Sequence, residues 1–185
     1  FNTENTDFGL LHFATHAILD DENPEYSYLA FQPDGNSNLL YVSDLYNLNS
    51  NTSLVTLSAC ESGIGDLKRG EGFISLARGF YFSGAKSIAS TLWKINDGSS
   101  LKIMEAFYKN LSEGDDKNVA LQKAQTTFIH DNNQNALAHP YYWSGFVISG
   151  NMQPIKSTNY SLWFVIGTLT FLVLLFLIIK RMKTN

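Results

Sequence analysis

Residues 54–63 read LVTLSACESG. Leu54, Val55, Thr56 and Leu57 form an uncharged, β-rich run of the kind that fills a parallel strand covered on both faces. The spacing predicts a strand over 54–59. It closes on Cys60, the one cysteine of the chain, and glycines follow at 63, 65, 70 and 72. A lone cysteine at a strand end is more often a small core residue than a reactive one. Open α/β sheets, however, place ligands at the carboxyl ends of their parallel strands, and Cys60 stands at such an end.

A second apolar run, FGLLHFA over residues 8–14, has the same composition and leads directly to Thr15, His16 and Ala17. If these two strands are neighbours, His16 and Cys60 emerge at one sheet edge. A cysteine nucleophile needs this pairing: the thiolate attacks, while the imidazole takes its proton and later protonates the leaving amine. The two residues are 44 positions apart, room for one crossover between parallel strands. Glycines after Cys60 allow a sharp turn and a close approach of backbone to substrate. The N–H groups of Ala17 and Cys60 are the candidate oxyanion-hole donors. Glu61, beside the thiol, is expected to point away from it.

The rest of the chain alternates strand and helix. Residues 20–38 read as loop, with YSYLAFQ a short strand or hairpin arm inside it, and YVSDLYNL reads as a short helix capped by Ser43 or Asp44. Glu71–Ser83 carries Phe73, Leu76, Ala77 and Phe80 at helical spacing, ended by Gly84. KSIASTLW is a third strand. Asn96 or Asp97 then caps a helix to about Ser112 with Ile103, Ala106, Phe107 and Leu111 inward, ended by Gly114. A further helix, 116–130, buries Leu121, Ala124, Gln125 and Phe128, and YYWSGFVISG is a final strand. This order gives an α/β fold with a mostly parallel sheet of about four strands.

Composition narrows the chemistry. With 13 basic and 17 acidic residues, net charge -4, no basic stripe offers a nucleic-acid surface. A single cysteine excludes an internal disulfide. His12 and His16 form H-x-x-x-H, but Phe13 stands where the zinc-peptidase pattern has Glu, and the run is strand-like. No metal or cofactor is expected, and His12 reads as a satisfied core histidine. His130 and His139 read as loop or cap residues. GIGDLKRGEG lacks the order of a phosphate loop. Asp20, Asp21, Glu22 and Glu25 read as a solvated loop, while Asp66, Glu71 and Asp97 are unranked candidates for a specificity pocket.

Four stretches carry a family resemblance: HFATHA, LVTLSACESGIGDLKRGEGFISLARGFYFSGAKSIASTLWKIND, FYKNLSEG and HPYYWSGFVISG. Their order and spacing resemble the CHAT domain, a caspase-like family, from Phe8 to Gly150. The resemblance implies a three-layer α/β fold like that of caspases, separase and gingipains, with N-terminal strands lying outside this chain. It implies a cysteine endopeptidase acting on a protein or peptide substrate in signalling or regulated proteolysis, with His16 as general base and Cys60 as nucleophile. It also implies tetratricopeptide repeats upstream in a longer chain. Ala17 stands where caspases have a glycine after the histidine. The alternative is a catalytically inactive CHAT-like interaction module that relays a signal from the repeats.

The tail differs in kind. Residues 161–179, SLWFVIGTLTFLVLLFLII, contain no charge, enough for a helix to cross most of a bilayer core. Tyr160 and Trp163 suit one interface, and Lys180, Arg181 and Lys183 follow the other end. The expected organisation is a CHAT-like domain over 1–152, a linker over 153–160, a single transmembrane helix over 161–179 and a basic tail over 180–185. The positive cluster places that tail in the cytoplasm; the side occupied by the domain depends on sequence upstream.

Overall fold

The computed structural model describes residues 9–20, 22–32, 38–58, 60–61 and 71–155. Among them are eight strands: β1 (Leu10–Phe13), β2 (His16–Ile18), β3 (Tyr28–Ala30), β4 (Leu39–Tyr41), β5 (Leu54–Leu57), β6 (Cys60–Glu61), β7 (Ser87–Thr91) and β8 (Phe146–Gly150). The helices are α1 (Val42–Leu45), α2 (Glu71–Phe82), α3 (Asp97–Ser112) and α4 (Lys117–Asp131), with short 3-10 turns at Pro24–Tyr26, Ala136–Ala138 and Pro140–Tyr142. The apolar segment 161–179 lies outside the described residues. Among those described, no helix is long and apolar enough to cross a membrane.

The main sheet has the order β1-β5-β7-β8. The first three strands are parallel and β8 is antiparallel. β5 and β7 lie inside the sheet, and all four residues of β5 are buried, as its unbroken apolar run requires. β1 has the same composition but a neighbour on one side only among the described residues, so Leu10 and Leu11 are half-buried and His12 is exposed.

Helices cover both faces. Phe13, Val55, Leu57 and Ile88 pack with Val42 and Leu45 of α1 and Leu76 and Phe80 of α2. Leu54, Ala89 and Phe146 pack on the other face with Ile103, Phe107 and Leu111 of α3 and Ala120, Leu121, Ala124 and Phe128 of α4. Alternate residues of a strand serve opposite faces, so Leu54 and Val55 enter different cores. Two helices separate β7 from β8. The chain turns back after β7, between the two helices and after α4, and these three reversals bring β8 back antiparallel.

Local chemistry sets the helix ends. The Asn96 side chain accepts from the amides of Gly98 and Ser99 at 3.1 and 3.3 Å, capping α3 as expected. Gly84 and Gly114 follow α2 and α3 at φ 104° and 96°, the left-handed region that a helix C-terminus favours in glycine. α1 begins differently from the expectation: Tyr41 is its N-cap, and the Asp44 carboxylate accepts the Tyr41 amide at 3.0 Å from inside the helix. Lys117 opens α4 buried, and its ammonium donates to the Asn151 carbonyl at 2.9 Å, tying the end of β8 to the helix. Desolvation lowers its pKa, Lys86 adds to the shift and Asp116 opposes it.

The expected final strand is shorter than the sequence suggests. Tyr141, Tyr142 and Trp143 belong to a 3-10 turn and its cap, and pairing begins at Phe146. Pro140 fixes φ for the start of a turn, which outweighs the β-propensity of three aromatics. Gln125, expected inside, is half-buried, and its amide donates to the carbonyls of Trp143 and Phe146 at 3.0 and 3.2 Å.

Phe107 is fully buried between α3 and the sheet. Phe107→Ala is expected to cost about 3–5 kcal/mol, measured as a lower denaturant midpoint with an unchanged slope. A loss below about 1 kcal/mol would mean that α3 is not seated on this face.

Candidate active site

The site is built on one register. β1 pairs with β5 as Leu10↔Leu54, Leu11↔Val55, His12↔Thr56 and Phe13↔Leu57. The Ser58 amide then donates to the Phe13 carbonyl at 3.0 Å. Beyond this point the two chains leave the main sheet together and pair again as β2 and β6, with His16↔Cys60 and Ala17↔Glu61. Every pair keeps the same offset, 44 residues. The break shifts the ladder into a second sheet without inserting a residue on either side.

That second sheet, of order β4-β3-β2-β6, is a separate unit beside the expected mostly parallel one. β3 lies in the expected YSYLAFQ strand. β4 falls where loop passes into the expected helix, and three-residue strands are too short to show an alternation. β2 runs antiparallel to β3 through His16↔Ala30, Ala17↔Leu29 and Ile18↔Tyr28. Thr15 adds a hydroxyl hydrogen bond to the Ala30 carbonyl. Ala17 and Leu29 are buried, so the strand bearing His16 is held from below while His16 itself is exposed.

The neighbouring acidic loop is explained by its own turn. Asp20 accepts the amides of Glu22 and Asn23 at 3.0 and 2.8 Å, and its own amide donates to the Ser27 hydroxyl at 2.9 Å. Asp97 is the first residue of α3. Glu71 opens α2, and Asp66 lies outside the described residues.

The sequence model of the CHAT domain family matches residues 2–151. The chain belongs to the CHAT domain family. Human tetratricopeptide repeat protein 28 is similar to it, 28% identical over 121 residues, which is 65% of this chain and 5% of that protein. Within this CHAT domain, the candidate dyad positions occupy the paired strands β2 and β6, at the carboxyl side of the ladder that β1 and β5 begin.

The other histidines separate from the site. His12 is not enclosed in the core as expected. It stands on β1, and its Nδ1 is 2.7 Å from the Tyr108 hydroxyl of α3. Thr56, its strand partner, is buried on the same face, with a hydroxyl that lacks a partner of ordinary geometry. Desolvation lowers the His12 pKa below 6.5 and raises that of Tyr108. His130 is an exposed residue of the last turn of α4. His139 caps the Pro140–Tyr142 turn, its Nδ1 accepting the Tyr141 amide at 3.3 Å. Among the described residues no cluster of three His, Cys, Asp or Glu side chains could hold a metal ion.

A histidine whose folded pKa is depressed favours its neutral form. Unfolded chains therefore take up the proton first, and stability rises with pH across that window. The His12 contribution is fully present above 6.5 and is lost as pH falls through the depressed folded value. His12→Gln is expected to flatten the fall in denaturant midpoint between pH 7.5 and 5. Parallel curves for the two proteins would remove His12 as the cause.

Proposed function

We propose that this CHAT domain is a caspase-like cysteine endopeptidase, with Cys60 as nucleophile and His16 as general base. The observation that carries the reading is the pairing of His16 with Cys60 on adjacent parallel strands. Neighbouring strands lie about 4.8 Å apart, a separation at which an imidazole and a thiol on one face come within reach of each other. Membership of a caspase-like family supports the same assignment.

In this mechanism the His16 imidazole takes the Cys60 thiol proton as the thiolate attacks the scissile carbonyl carbon. The carbonyl electron pair moves to oxygen, and the backbone N–H groups of Ala17 and Cys60 are the donors assigned to that oxyanion. Collapse breaks the C–N bond, and the imidazolium protonates the departing amine. Water then attacks the thioester, His16 takes its proton, and the peptide acid leaves as the thiol is restored. Buried β5 beneath the site supplies a rigid support.

The test is labelling of the full chain by a fluorescent tetrapeptide acyloxymethyl ketone, which a thiolate converts to a thioether. Labelling is expected in the parent protein and should fall by at least ~100-fold in Cys60→Ala and in His16→Ala, as loss of a nucleophile or its base demands. Equal labelling of parent and Cys60→Ala would sink the assignment. A protein that never labels would point to the noncatalytic interaction module.

The wider setting is part of the same proposal. Tetratricopeptide repeats preceding this domain in a longer chain would deliver the activating signal, as the similarity to a tetratricopeptide repeat protein suggests. Segment 161–179 would anchor the chain in a membrane with residues 180–185 in the cytoplasm. The full chain is then expected in the membrane fraction after alkaline carbonate extraction. Recovery in the supernatant would refute the anchor.

A further inference from the structure

One lateral row of the second sheet runs through the dyad positions. Leu39 pairs with Ala30, Ala30 with His16 and His16 with Cys60, so these residues stand side by side across β4, β3, β2 and β6. The adjacent row, Leu40, Leu29 and Ala17, is buried in the core that also holds Phe13 and Leu57. Successive residues of a strand face opposite sides of the sheet. Ala30 and Leu39 therefore share the outward face with His16. So do Ile18, Tyr28 and Tyr41, which form the row two residues away.

This outward face is apolar apart from the imidazole and two phenol hydroxyls. Ile18, Tyr28, Ala30, Leu39 and Tyr41 are each half-buried, and none carries a charge. The Tyr28 and Tyr41 rings lie against each other, with centroids 5.1 Å apart and an interplanar angle of 55°. Antiparallel strands with one face on a core ordinarily turn polar residues to the other. A run of apolar and aromatic residues on that side marks a surface that meets a partner.

The chemistry of the dyad selects the occupant. In the proposed mechanism the His16 imidazolium protonates the departing amine, so that nitrogen must lie at His16 while the acyl carbon is held at Cys60. The peptide after the scissile bond then leads away from β6, across β2 towards β3 and β4. Three extended residues span about 10 Å, roughly two strand spacings.

We propose that this face is the binding platform for the first residues after the scissile bond, and that it selects apolar or aromatic side chains there. The proposal rests on the peptidase reading and adds a specificity that the dyad alone does not contain. An apolar side chain leaves water against Tyr28, Tyr41 and Leu39. A charged one loses hydration and finds no opposite charge on these strands.

The test incubates the full chain with a mixture of proteome-derived peptides. Mass spectrometry reads the residues on both sides of every cut that Cys60→Ala fails to make. Within the first three positions after the cut, apolar and aromatic residues are expected to exceed charged ones by at least about tenfold relative to their abundance, the scale of discrimination by apolar contact. Tyr28→Glu and Leu39→Glu each place a carboxylate on the platform. Each is expected to lower that ratio at least about fivefold and to favour Lys and Arg after the cut, whereas Tyr28→Phe keeps it. The preference before the cut, read from the same peptides, should persist, which a general loosening of the fold would not allow. Leu39 lies on the outer strand β4, so Leu39→Glu keeps the test open where Tyr28→Glu does not fold.

Cuts without apolar preference after the bond, no cuts from a chain that labels, or a preference that survives both carboxylates would overturn the platform and leave the dyad standing. A parent chain that neither labels with the acyloxymethyl ketone nor cuts overturns the peptidase reading, and the platform with it.

Discussion

The structure depends on the register of one parallel ladder. From Leu10↔Leu54 to Ala17↔Glu61 the two chains keep the same partner offset although they change sheets between Phe13 and His16. A parallel pair has evenly spaced hydrogen bonds, and a slip of one residue would turn every side chain to the other face. The two cores prevent that slip, because Val55 and Leu57 are committed to one face and Leu54 to the other. Packing far below the site thereby sets which residue stands beside Cys60. The pairing of His16 with Cys60 is the end of a constraint that begins at Leu10.

The helices fix where the last strand returns to the sheet. With α3 and α4 between them, the path from β7 to β8 reverses three times and delivers β8 antiparallel to β7, pairing Phe146 with Thr91. β8 therefore starts where β7 ends, and the residues before it must arrive at the carboxyl edge of the parallel strands. This is why a 3-10 turn of Pro140, Tyr141 and Tyr142 meets Trp93 and Lys94. Gln125 of α4 holds the same approach through the carbonyls of Trp143 and Phe146. The antiparallel strand, an apparent irregularity in a parallel sheet, brings the aromatic turn to that edge.

Much of the fold was legible because its signals are local. The apolar run at 54–57 and the stretch KSIASTLW both yielded strands, Asn96 became a cap through its own side chain, and Gly84 and Gly114 ended helices. The failures share a cause as well. β2, β4 and β6 are two or three residues long, too short for a period to emerge. Tyr141–Trp143 have high strand propensity, but the preceding proline and contacts to Trp93 and Gln125 select a turn. His12 looked internal because its run is apolar, yet β1 has a described neighbour on one side only.

The sequence by itself determined the order of the three parallel strands of the main sheet and of the three long helices, the two candidate residues and their separation of 44 positions. It did so because burial period, caps and spacing are properties of neighbouring residues. Only the tertiary structure decided that this separation equals the register of a parallel ladder, and that the ladder crosses into a second sheet. These facts depend on which strands pair and at what offset, which is settled by packing between residues far apart in the chain.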